Sequence, residues 1–137
     1  MMKAKYSAIF ITLISLLLLP APIRAHHATA VDFDVSKTIR VQGVVSRLNW
    51  ANPHAHVQIA VKGERGVEEH WDVELGSPGA VIVSGLSQSV LIPGTTITVI
   101  GYPAKTNTSS EPSHDPALCA TQLTLADGTT AQFVVGI

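Results

Sequence analysis

Beyond residue 37 the chain is filled by short runs in which apolar and polar residues alternate one for one, broken by Gly, Pro and Asn. Alternation of that period marks half-buried strands. In residues 38–50, Ile39 and Val41 share one parity and Val44, Leu48 and Trp50 the other, so the phase switches at Gly43, which predicts a bulge or sharp bend there. Asn52-Pro53 then interrupts the pattern, because proline removes a ladder donor and biases the residue before it away from helix. From His54 to Val61 the split is clean, with Ala55, Val57, Ile59 and Val61 on one face and His54, His56, Gln58 and Ala60 on the other. After a turn at residues 62–66, residues 67–75 repeat it, setting Val67, Glu69, Trp71, Val73 and Leu75 against Glu68, His70, Asp72 and Glu74. The two runs predict a hairpin.

Ser77-Pro78 supplies a cap residue and a proline suited to the first helical turn, and Gly85 a stop, so one short helix is predicted between them. Pro93-Gly94 is a turn, residues 95–102 a strand and residues 103–116 a polar loop. A last hairpin, 118–125 with 130–135, turns at Asp127-Gly128. Three strands, a short helix and two further strands, the first strand bent, is the order of an OB-fold. The predicted class is therefore all-β, a small OB-like Greek-key barrel with one short helix between the third and fourth strands; a small β-sandwich is the main competitor.

The first residues read as an address. Lys3 and Lys5 precede an uncharged apolar run over residues 7–19, closed by Pro20 and Pro22, the layout of a secretory signal peptide. The run is too short to span a bilayer, so no membrane anchor is expected after cleavage. Two cleavage points compete, after Ala25 and after Ala30. The shorter spacer favours Ala25, giving a signal peptide at 1–25, a single domain at 26–137 and a periplasmic destination. Of nine Lys and Arg residues, three lie in that signal; the six that remain face ten Asp and Glu, a net charge of −4. That balance argues against a nucleic-acid partner, which draws affinity from a basic patch. The one cysteine, Cys119, has no disulfide partner and falls in an apolar stretch, where a buried inert thiol is expected.

His26-His27, Phe33-Asp34, Gly43-Val44-Val45, Trp50-Ala51-Asn52-Pro53-His54, Trp71 with Glu74, Ser77-Pro78, Pro93-Gly94 and the stretch Gly101-Tyr102-Pro103-Ala104-Lys105 resemble a family of small exported bacterial proteins with no assigned function. The Trp-x-Asn-Pro-His string is the specific part. The resemblance implies export and fold and leaves activity open.

Candidate chemistry centres on histidine. A hairpin turning symmetrically about Glu64 sets His54 opposite Glu74, His56 opposite Asp72 and Gln58 opposite His70, all on one face. His54 and His56 could then converge on one ion, with Asp72 or Glu74 as third ligand or as a group orienting an imidazole. If cleavage falls after Ala25, His26 becomes the N-terminus and, with His27, adds a nitrogen-rich site suited to copper. Imidazole with carboxylate suits copper or zinc. The plainer reading is a polar outer face that binds no metal. Trp50 and Trp71 invite an aromatic platform, although the parity of Trp71 points to the core.

No nucleophile elbow, phosphate-cradling glycine loop or Cys-x-x-Cys occurs. The expected function is thus binding rather than catalysis: a periplasmic protein that takes a transition metal through His26, His27, His54 and His56 with Asp72 and Glu74, or, without metal, a module for a peptide, glycan or envelope protein. A copper oxygenase starting at His26 is the enzymatic rival.

Overall fold

The computed structural model describes residues 28–63, 66–108 and 115–136. Along them run α1 (Ala28–Asp32), β1 (Ile39–Asn49), β2 (His56–Lys62), β3 (Glu68–Glu74), α2 (Pro78–Val83), β4 (Thr96–Pro103), β5 (Ala117–Leu125) and β6 (Thr130–Gln132), with single 3-10 turns at Gln88–Val90 and Lys105–Thr108. The strands lie in the order β3-β2-β1-β4-β5-β6, and a parallel pairing of β3 with β5 closes the first five into a barrel. That is the OB architecture expected from the element order, with β6 added as a hairpin partner of β5. Among the described residues no helix is long and apolar enough to cross a membrane.

The first strand must serve two neighbours, and it does so by changing partner midway. Residues 39–44 pair with β4 and residues 44–49 with β2, Val44 being shared. Gly43 sits at this changeover, where a Cβ would stand 2.7 Å from the Ala60 carbonyl oxygen. The phase slip is elsewhere. Inward parity runs Val41, Gly43, Val45 and resumes at Leu48, so the register shifts between Val45 and Arg47. Val44, an apolar residue exposed on the outer face, breaks the apolar parity just past Gly43 and mimics a slip there.

The β2–β3 hairpin also corrects the expected register by two. His56 lies opposite Glu74, Gln58 opposite Asp72 and Ala60 opposite His70. The turn centres one residue later than Glu64: Gly63 N–H donates to the Val67 carbonyl, and Gly66 takes a φ of 72° that suits glycine.

The helix after β3 follows its cap signals. Ser77 Oγ accepts from Ala80 N–H at 3.3 Å, Pro78 opens the first turn and Gly85, at φ 96°, ends it. Val81 of this helix joins Leu86, Leu91, Val45, Ile59 and Leu118 in the main core. A smaller cluster of Phe33, Ala104 and Cys119 lies beside it, and a bridge between Phe33 and Ala104 ties the segment after α1 to the end of β4. Trp50 and Trp71 are half-buried and pack against the main core, which removes them as a free stacking platform.

Candidate functional site

The outer face of β1, β2 and β3 is ruled into two rows of polar side chains. Register sets Arg47, Gln58 and Asp72 in one row, and Asn49, His56 and Glu74 in the next. Rows on a strand are about 6.8 Å apart and strands about 4.8 Å apart, so the six residues form a compact patch. The slip between Val45 and Arg47 creates it. Without that extra residue, Arg47 would follow Val45 into the barrel; with it, Arg47 and Asn49 turn outward. Arg47, Asn49, His56, Gln58 and Asp72 line an open groove of about 340 Å³.

Sequence reasoning nominated His56 and Asp72 but not Arg47 or Asn49. The usable signal was the pair of adjacent polar residues Ser46-Arg47 ahead of the inward Leu48, the mark of a slip in parity.

The two imidazoles meet carboxylates diagonally rather than straight across. His56 Nδ1 lies 3.0 Å from Asp72 Oδ2, and with the carboxylate ionised the ring N–H donates to it. His54 Nδ1 lies 2.6 Å from Glu74 Oε1. These are the partners the sequence pattern anticipated, although the backbone register differs, because long side chains reach the neighbour two residues along.

Convergence on one ion does not follow. His56 faces the groove, whereas His54 and Glu74 line a separate hollow of about 70 Å³ together with Cys119 and residues 133–136. Each carboxylate is engaged at Nδ1, the position from which it orients a ring. Among the described residues no group of three or more His, Cys, Asp and Glu stands close enough to hold a metal ion. His26 and His27 lie outside the described residues, as does His114. His70 stands exposed near Glu68, at 3.7 Å.

The hydrogen bond to Asp72 raises the pKa of His56; partial burial opposes it, and the charges of Asp72 and Glu74 reinforce it. The folded state therefore holds this proton more tightly than the unfolded chain. The stabilisation is full below the ordinary value of 6.5 and is lost as pH rises through the raised value. We expect the melting midpoint to fall across neutral pH by more in the wild-type protein than in Asp72→Asn. Melting curves at intervals from pH 5.5 to 8.5 check this, and parallel profiles for the two proteins would contradict it.

Among solved structures, the chain resembles the mitochondrial single-stranded DNA binding protein Rim1 of S. cerevisiae in two crystal forms. The likeness is 14% identity and a TM-score of 0.48 over 69% of this chain and 95% of the other in one form. In the other it is 13% identity and 0.45 over 69% and 94%. This is a likeness of fold. One expectation is corrected: the charge balance does not exclude a nucleic-acid partner, since these solved structures of like fold are single-stranded DNA binding proteins. Net charge counts the whole chain, while a binding face depends on where the cations sit. No curated protein matches the sequence. A family model covers residues 15–111, most of the barrel included, and the chain belongs to that family, DUF6152, a family of unknown function.

Proposed function

We propose that this protein is exported to the periplasm and acts there as a binding module for a small hydroxyl-rich ligand, a glycan, in the groove on β1, β2 and β3. The observation that carries this reading is the groove itself. Its lining alternates donors and acceptors, Asn49 and Gln58 amides beside Asp72 and His56, in a space of about 340 Å³ that accommodates one or two sugar rings. Sugar hydroxyls donate and accept, and match such a lining. An extended peptide fits less well, since β2 is paired along both edges and offers no backbone ladder for strand addition. Export rests on the charged start, apolar run and prolines of residues 1–25. The protein works as a binder and not as an enzyme.

The test uses protein expressed from the full chain and recovered from the periplasm, isotopically labelled and titrated with neutral mono- and disaccharides. Amide shifts confined to residues 47–49, 56–58 and 72 are expected. Shifts on another face, or none with any saccharide, would overturn the reading.

A second reading is favoured by the two imidazole–carboxylate pairs. Each ring spends Nδ1 on its carboxylate and keeps Nε2 as a donor for Zn(II) or Cu(II). His26 and His27 would add ligands if the chain is cut after Ala25. Adding Zn(II) to the same samples separates the two. Binding tighter than about 10 μM that disappears on replacing His54 and His56 by Ala supports the metal reading, and weaker or unchanged binding removes it.

A further inference from the structure

We infer that the groove selects acidic over neutral saccharides, taking a sugar carboxylate on the Arg47 guanidinium; this rests on the glycan reading above. Arg47 is exposed, and among the described residues it makes no ion pair. The nearest acid across the sheet in its own row, Asp72, stands two strands away beyond Gln58, roughly 10 Å off by strand spacing. Asp72 is moreover engaged by His56. The slip that turns Arg47 outward departs from regular pairing, and slips of this kind recur where a side chain is re-aimed at a site.

The resulting row has a polarity. At the β1 end a guanidinium offers a planar fork of donors that fits a carboxylate with two parallel hydrogen bonds. In the middle, Gln58 can give and accept, and Asn49, one row along on β1, can do the same. At the β3 end the Asp72 carboxylate accepts from hydroxyls. A uronic acid carries both features on one ring, a carboxylate at one end and hydroxyls along its edge. A neutral sugar would leave the guanidinium paired only with water, and a simple inorganic anion would use Arg47 alone and ignore the rest of the row.

The experiment titrates the full-chain periplasmic protein with glucuronate, glucose, inorganic phosphate and an oligothymidylate of fifteen nucleotides, at one ionic strength, following the groove amides. Glucuronate binding at least tenfold tighter than glucose is expected, falling to the glucose level in Arg47→Gln and partly recovering in Arg47→Lys. Equal affinity for the two sugars, or an Arg47→Gln variant that still discriminates, overturns this inference and leaves the glycan reading standing. No saccharide binding at all overturns both. Phosphate binding as tightly as glucuronate makes Arg47 a general anion contact, and tighter binding of the oligothymidylate transfers the face to a phosphate backbone; either result overturns the acidic-sugar assignment.

Discussion

Gly101→Ala is expected to cost about 3 kcal/mol or more and to lower the melting midpoint by roughly 10 °C. Gly101 lies opposite Ala120, next to a slip in the β4–β5 register between Ile100 and Gly101. The slip presses the two backbones together. An added Cβ would overlap the Cys119 carbonyl oxygen, stand 2.8 Å from its carbon and 3.0 Å from the Ala120 Cα. These are backbone atoms of a strand held on both sides, by β4 and by the parallel seam with β3, so the clash cannot be relieved by turning a side chain. Relief requires the barrel closure to loosen. Gly79→Ala is the matched control: it lies in α2, where the new methyl meets nothing within 4 Å, and a helical Gly→Ala exchange gains about 0.5–1 kcal/mol. Thermal unfolding of the three proteins should therefore give midpoints in the order Gly79→Ala, wild type, Gly101→Ala. A Gly101→Ala protein that melts with wild type would show that the seam yields freely.

The contrast between Gly43 and Gly101 illustrates what was legible beforehand. Gly43 drew notice because the apolar parity seemed to break there, although its reason for being glycine is the close approach of Ala60 at the partner change. Gly101 gave no such signal, since its neighbour is a backbone carbonyl from a strand distant in sequence. Alternation sufficed for the strands, and Ser77-Pro78 with Gly85 for the helix, because those depend on local chemistry. The hairpin register depended on the turn between Lys62 and Glu68, at whose far end Gly66 takes a positive φ. The face of His54, His56, Asp72 and Glu74 was readable because a shift of two residues preserves parity. Arg47 and Asn49 were not, because a slip in parity is seen only when the outward Val44 is recognised as an exception. Helix α1 escaped notice because its five residues are too few for a helical period.

The thiol of Cys119 is expected to react with thiol reagents at least about a thousandfold more slowly in the folded protein than in the unfolded chain. Burial pushes its pKa from 9.0 up to about 12, and the nearby Glu74 charge adds to the rise. Only the thiolate attacks, so three units remove a factor of about a thousand from the reactive fraction at mildly alkaline pH. The position explains the burial. Cys119 is paired with Glu74 on one side and Tyr102 on the other, at the seam that closes the barrel, and is 5% exposed. Two routes to the sulfur are distinguishable. If reagent waits for the barrel to open, labelling follows the unfolding equilibrium and the weakened closure of Gly101→Ala speeds it by a large factor. If reagent enters through the small hollow that Cys119 shares with His54 and Glu74, both proteins label alike. The close packing of β4 on the Cys119 backbone favours the first route. Labelling at pH 8 with and without denaturant, in both proteins, checks it; a native thiol that reacts within tenfold of the denatured one would contradict the burial argument and make Cys119 an accessible nucleophile.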